Sequence, residues 1–381
     1  MKEEPYDPDL KTRMFRIPSL VTCRASVAFG VPKPCNLNPG PDGFLGPVKF
    51  QTALSEDLSV SSAMASTAVR QDISPPYVEP TEVYRAGYES SPVKLRIAVG
   101  GAGQSGLIKA LGNAFIAREV KSCQELSLGN AFIGKEVGES KLEAFAVAWY
   151  ASDTTQSFNY LAQNVVDMSV TYHEIAEQIA IKQGVADRYE YCFRDHWMLV
   201  GPKHNPAKLV AGPDTTVYDL LSQLFIAAIA TETSKDPIRF LSRYDKSAAN
   251  IKESNLWSAI GQTPWSYPYS HWYHRYVEFP FRALKVAAQL EEYTLTDRGT
   301  WYSSEPWIRE KMTIFLEGDD SANDPLLNPA HALVGTAVTN KDMANKFLDW
   351  IIGPEGQEVF KTFAVNGVVL YTPAPTSSSQ I

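Results

Sequence analysis

From about residue 93 the apolar positions of this chain switch repeatedly between a period of two and a helical period, and the switches mark out an α/β pattern. Leu95, Ile97 and Val99 recur at every second position, predicting a strand over 94–99. Gly100-Gly101-Ala102-Gly103 ends it, and after Gln104-Ser105-Gly106 the residues Leu107, Ile108, Ala110 and Leu111 begin a helix through about 120. Such a junction gathers backbone N–H groups and the positive end of a helix dipole at one point, a seat for an anion or polar ligand. Phe145–Tyr150 reads as a buried strand, followed by the polar turn Ser152-Asp153-Thr154-Thr155 and a helix over 158–163. A strand over 165–171 leads through Tyr172-His173-Glu174 into a helix carrying Ile175, Ala176, Ile179 and Ala180. A strand over 195–202 closes this block, and a second block of the same kind follows with a helix over 217–231 and a strand over 238–242. Residues 264–281 read as an aromatic-rich linker, and a strand over 331–338 and helices over 341–352 and 356–364 come last. The recurring order of strand, polar turn and helix predicts a parallel sheet with helices on both faces.

Two stretches break the pattern. Residues 1 to about 90 are rich in Pro, Ser, Gly and acidic residues and lack any long periodic apolar segment, which predicts a mostly disordered extension. Leu111–Ile116 recurs as Leu128–Ile133. The shift is close to five helical turns at about 3.6 residues per turn. The copy therefore either extends the helix or forms a helical loop, and two copies do not make a solenoid.

Composition narrows the classes. Hydrophobic residues make up 44% and charged residues 20%, enough for a large core. A net charge of −8 argues against nucleic acid as a partner. No apolar run is long enough for a membrane span. The first residues, MKEEPYDPDLKTRMF, lack the basic-then-apolar order of a secretory signal, so a cytoplasmic protein is expected, or a secreted or periplasmic one if that N-terminus is mis-assigned. The four cysteines form no CxxC pair, and His271 and His274 have no third ligand nearby, so neither a metal nor another cofactor is expected. Gly101, Gly103 and Gly106 also fit the GxGxxG dinucleotide fingerprint, with Glu125 about 20 residues on. Glu125, however, follows no clear second strand.

Three segments go beyond generic α/β: EEYTLTDRGTWY (291–302), DPLLNPAHALVGTAV (324–338) and FLDWIIGPEGQEVFKTFAVNGV (347–368). Together they resemble the tungstate-type solute-binding proteins of ABC transporters, in the type II periplasmic-binding-protein superfamily. DHWMLVGPKHNPA (195–207) is similar to that family's hinge strand, FLSRYDKSAAN (240–250) to a ligand loop, and the glycine turn stands in place of the first ligand loop. The likeness is collinear over roughly 93–375. It implies an α/β, two-lobed type II periplasmic-binding-protein-like fold with a mostly disordered N-terminal extension. The implied parts are an extension over 1–92, lobe one over 93–195 plus 332–375, lobe two over 196–331, and a tail over 376–381. The ligand would lie in the interlobe cleft. Gly101, Gly103, Gln104, Ser105, Ser152, Thr154, Thr155 and Tyr172 would face it from lobe one, and Arg243, Ser247 and Arg298 from lobe two. An oxyanion of the tungstate or molybdate type, or another small molecule, is the implied ligand, with an ABC permease as partner if the protein is exported. Fixed neutral donors and guanidinium forks suit such a ligand.

The chain departs from that family at two places. Relatives tend to carry Gly-Thr-His after the loop serine, where this chain has Ala248-Ala249-Asn250. They carry Thr-Gly-Gln-Gly where it has Val277-Glu278-Phe279-Pro280-Phe281. Replacing glycine N–H donors by Pro280 and bulky Phe, and adding Glu278, should weaken a small dianion site. Trp265, Tyr267, Tyr269, Trp272, Tyr273 and Tyr276 would then supply a more aromatic wall suited to an organic ligand, or else a packed lobe surface. The alternative function is an enzyme on this scaffold, acting on an organic, carboxylate or secondary-metabolite substrate by cofactor-independent acid–base chemistry such as isomerisation or cyclisation. His173, Asp153, Glu278 and His271 are its candidate catalytic groups.

Overall fold

The computed structural model describes residues 76–132, 144–267 and 269–375. The extension up to residue 75, the last residue of the second LGNAFI copy and the tail 376–381 lie outside the described residues. The first lobe is built on β1 (Glu82–Tyr84), β2 (Val93–Val99), β3 (Ala146–Ala151) and β4 (Met168–Thr171). β2 runs parallel between β3 and β4, and β1 lies antiparallel on the outer edge of β3. The sheet thus takes in residues that the sequence reading left in the extension. The parallel crossovers use α1 (Gly101–Gln104), α2 (Leu107–Phe132) and α3 (Thr154–Ala162), and α4 (Glu174–Lys182) follows β4. α2 runs on into the second LGNAFI copy, so the duplication lengthens a helix.

β2 is buried on both faces, and its alternation assigns them. Leu95, Ile97 and Val99 pack with Leu107, Leu111 and Phe115 of α2, while Ala98 packs with Leu161 and Val166 on the opposite face. The chain then crosses to the second lobe on the long strand β5 (Ala186–Pro202). That lobe contains α5 (Val217–Thr231), β6 (Phe240–Ser242), α6 (Ala248–Ala259), β7 (Tyr273–Arg275), α7 (Pro280–Leu290), β8 (Tyr293–Asp297), α8 (Arg298–Ser303), α9 (Pro306–Lys311) and β9 (Met312–Glu317). β10 (Leu327–Gly335) returns the chain to lobe one, where α10 (Lys341–Ile352), α11 (Pro354–Thr362), the hairpin of β11 (Ala364–Val365) and β12 (Val368–Val369), and β13 (Thr372–Pro373) complete it.

The sheet is mixed rather than all parallel. β5 carries the chain out and β10 carries it back, so the two lie antiparallel at the centre, in the order β1-β3-β2-β4-β10-β5-β8-β6-β7. The first part of β5 pairs with β10 and the last part with β8 and β9. Among the described residues no helix is long and apolar enough to cross a membrane.

The aromatic segment is part of the second core. β7 pairs parallel with β6, which places Trp272 and Tyr273 in a buried cluster with Phe225, Phe240 and Trp257. Trp265 packs against the same cluster, and Tyr267 and Tyr269 are exposed.

The glycine turn has packing reasons for two of its glycines. Gly106 has a φ of +91° where α1 passes into α2, a conformation that side chains rarely adopt. Gly103 lies under the indole of Trp149, and a Cβ there would fall 2.2 Å from the ring. Replacing Gly103 with alanine is therefore expected to lose about 1–3 kcal/mol by overpacking. The check is the urea midpoint, and an unchanged midpoint would show that Trp149 can move aside. The dinucleotide reading has no footing here, because Glu125 lies inside α2 instead of ending a second strand.

Candidate functional site

A cavity partly open to solvent lies between the lobes. Strand register builds its floor. Asp195 and Trp197 lie two apart on β5 and so share a face. Their cross-strand partners are Asn328 on β10 and Asp297 at the end of β8. All four line the cavity and all four are buried. Asp297 uses both carboxylate oxygens to accept from Thr300, at 2.7 Å from its N–H and 2.6 Å from its hydroxyl, and so caps α8. Asp195 accepts from the His196 amide at 2.8 Å. Burial, and then the neighbouring Asp297 charge, push the Asp195 carboxyl well above the usual carboxylate range.

Helix starts build the walls. Gly100 and Gly101 (α1), Asp153 and Thr154 (α3), Ser247 and Ala248 (α6), Phe279 and Pro280 (α7) and Asp297 (α8) all line the cavity, so five helices begin there. Each start presents N–H groups without an intrahelical partner and the positive end of its dipole. Asp153 caps α3 through the Gln156 N–H, and Ser247 caps α6 through that of Asn250. α1 and α7 have no side-chain cap. Arg243 joins them, held by its Nε to the Glu278 carbonyl at 3.1 Å and by Nη2 to Asp245 at 2.5 Å. Its Nη1 has no protein hydrogen bond among the described residues. Tyr172 closes the lobe-one side. Burial first, then the charges of Asp195, Tyr371 and Asp297, raise its phenol so far that it stays a neutral hydroxyl.

Gly101, Ser152, Thr154, Tyr172, Arg243 and Ser247 come together on this cavity. The other sequence-predicted ligand residues lie off it. Gly103 faces Trp149, Gln104 ends α1, and the Ser105 hydroxyl is 2.7 Å from that of Tyr371. The Thr155 hydroxyl reaches across to the Lys246 carbonyl at 3.3 Å. The Arg298 guanidinium is taken by Glu317 at 2.5 Å, and the glycine turn instead faces Asp297, 3.5 Å from a Cβ built on Gly101. Of the acid–base candidates only Asp153 lines the cavity, and its carboxylate caps a helix. His173 caps α4, Glu278 accepts from Arg282 and the Phe279 amide, and His271 stands edge-on to Tyr269. The expected aromatic wall is not formed by the 265–276 run. None of its six aromatic residues lines the cavity, because β7 draws Trp272 and Tyr273 into the core, and Phe279 is the aromatic that reaches it from that side. Asp195, Trp197, Asp297 and Asn328 were not among the predicted ligand residues. Among the described residues no three His, Cys, Asp or Glu side chains gather as a metal site.

Comparison with known proteins places this geometry among relatives. A family model described as a PBP superfamily domain matches residues 132–355. A Haloferax volcanii protein, assigned provisionally as an ABC-transporter anion-binding protein, is 26% identical over 220 residues, which is 56% of this chain and 59% of that protein. The match thus spans well under the full length of that relative. The tungstate-binding protein TupA of Peptoclostridium acidaminophilum is 25% identical over 227 residues, 58% of this chain and 73% of its own. Among solved structures, a periplasmic protein assigned provisionally as metal-binding is 46% identical, covers 78% of this chain and 100% of its own, and superposes with a TM-score of 0.65. TupA of Desulfovibrio alaskensis G20, at 24% identity, covers 74% of this chain and 99% of its own with a TM-score of 0.53, a likeness of fold.

Proposed function

Because this chain belongs to the PBP superfamily, as a divergent relative of the tungstate-binding proteins, we propose that it binds a small oxyanion in the cleft between its lobes. The observation that carries this reading is the convergence of five helix starts and Arg243 on one cavity. Helix N-termini with free N–H groups favour anions, and a guanidinium adds a directed, permanent charge. Two donors lining the cavity, the buried Tyr172 hydroxyl and Trp197 indole N–H, also have no hydrogen-bond partner among the described residues. Neutral, fixed donors of this kind stabilise an oxyanion with little reorganisation.

The relatives also bear on place and partner. The cytoplasmic location expected from the first residues finds no support among them, since one solved relative is periplasmic and another relative is assigned to an ABC transporter. Our reading is that the protein works outside the cytoplasm and hands its ligand to a permease. Nothing in the cavity favours acid–base catalysis over binding, because the candidate acids and bases do not meet there.

Isothermal titration of the full chain with tungstate, molybdate, sulfate and phosphate tests the proposal. At least one is expected to bind saturably, one ion per chain. Arg243→Ala should weaken that ion by about 2–5 kcal/mol, the loss typical of truncating one partner of a buried charge pair. No saturable oxyanion, or an affinity indifferent to Arg243→Ala, would count decisively against it.

A further inference from the structure

The two lobes line the cavity with different chemistry. Lobe one brings the hydroxyl residues Ser152, Thr154, Ser157 and Tyr172 and the backbone of the glycine turn, and Val170 adds one aliphatic side chain. Lobe two brings Arg243 and Ser247, and then hydrocarbon: Ala248, Ala249, Phe279 and Pro280. Several polar groups on that side are already committed. Ser247 donates its hydroxyl to Asp245 and accepts from the Asn250 N–H. The Phe279 N–H donates to the Glu278 carboxylate at 3.2 Å, and Pro280 has no N–H to give. Arg243 Nη1 and the first N–H groups of α6 are what lobe two keeps for an anion. Phe279 lines the cavity yet is 39% exposed, so it stands where the cavity meets solvent.

A bare inorganic ion makes poor use of the hydrocarbon side. Each oxygen it turns toward Phe279 and Pro280 gives up water and gains no donor. An oxyanion that carries an apolar substituent uses both sides. Its head group takes the lobe-one donors and Arg243, and its substituent covers the exposed ring, removing apolar surface from water. Resting on the oxyanion reading above, we infer that the ligand is an organic oxyanion, a carboxylate, sulfonate or phosphonate whose compact apolar substituent packs on Phe279 and Pro280. Arg243 joins the two halves of this arrangement. Its Nε is held at 3.1 Å by the carbonyl of Glu278, the residue just before Phe279. Charge and ring are therefore fixed to one peptide unit, and a substituent that follows directly on the head group meets the ring.

The experiment compares matched head groups by isothermal titration of the full chain: phosphate with phenylphosphonate, methanesulfonate with benzenesulfonate, and acetate with benzoate, with tungstate and sulfate alongside. For at least one head group the ring-bearing compound is expected to bind on the order of tenfold more tightly than its partner, the scale on which burying part of a ring acts. Phe279→Ala should remove most of that advantage and leave the affinity of the ringless partner nearly unchanged. Phe279→Leu keeps an apolar side chain at the same place and should keep the larger part of the advantage, which separates lost packing from a damaged fold. An advantage that Phe279→Ala leaves intact overturns the inference. Tungstate, sulfate or phosphate binding as tightly as the tightest ring-bearing compound also overturns it, while leaving oxyanion binding in place. Failure of every anion to bind, with or without a ring, overturns both.

Discussion

Replacing Asp167 with alanine is expected to lower stability by about 3–5 kcal/mol, the range for removing one member of a buried ion pair. Asp167 is fully buried and accepts five hydrogen bonds. Three come from Arg96, one from its backbone N–H at 2.9 Å and two from its guanidinium at 3.0 and 2.6 Å. Two come from Asn340, at 3.0 Å from the backbone and 3.1 Å from the side chain. One carboxylate therefore ties β2 to the loop before β4 and to the loop before α10, the segments that hold lobe one together around the returning chain. Alanine would leave a guanidinium and two backbone N–H groups without their acceptor. For the same reason, replacing Arg96 and Asp167 together by apolar residues would not restore stability, because the backbone donors would remain. Urea unfolding reads the effect as a shift of midpoint at constant m value. A loss below about 1 kcal/mol would mean that water takes over the freed donors.

The parts of the site that lie between a strand and a helix were legible in the sequence. Gly101, Ser152, Thr154 and Ser247 occupy such junctions, where Gly, Ser, Thr and Asp announce a turn or a cap by their own chemistry. The floor was not legible for a different reason. Asp195 and Asn328 sit in strands, and what a strand residue meets depends on the register of a partner far away in the chain. One signal was available: Asp195 stands just ahead of the apolar run Trp197-Met198-Leu199-Val200, and a carboxylate there needs a reason.

Arg298 shows how one residue of offset decides a site. The TDRGT segment does reach the cleft, but Asp297 is the N-cap of α8 and faces the cavity, while Arg298 is the first helical residue and turns to Glu317. The aromatic run was ambiguous because β7 has only three residues, too few to show a period of two among so many aromatics. The parallel-sheet expectation failed at the edge strand β1 and, at the centre, at β5 and β10, where the connectivity of two lobes, and no local pattern, fixes the direction.

Glu253→Gln is expected to stabilise the protein at alkaline pH and to change little near pH 5. Glu253 lies on α6, 4% exposed, and accepts from the Tyr273 hydroxyl at 2.6 Å. Burial raises its carboxyl from 4.5 to about 8, with hydrogen bonds from Tyr273 and Ser242 and the charge of Arg243 opposing only part of the rise. The folded state thus holds a proton that the unfolded state releases between those values. Stability associated with Glu253 is complete below the unfolded value and is lost as pH rises through the folded one. The total is roughly 3–5 kcal/mol at about 1.4 kcal/mol per unit. Glutamine keeps a carbonyl for Tyr273 but cannot ionise, so its advantage over wild type should grow from under about 1 kcal/mol at pH 5 to about that full size at pH 9. Urea unfolding of both proteins at these two pH values gives the difference directly, and a gap independent of pH would show that Glu253 does not titrate in this window. The consequence for the cleft follows from position. α6 brings Ser247, Ala248 and Ala249 to the cavity, and Tyr273 joins Glu253 to β6, the strand that leads to Arg243. Ionising Glu253 would therefore loosen the lobe-two wall first, and the glutamine variant should keep its oxyanion affinity to a higher pH than wild type.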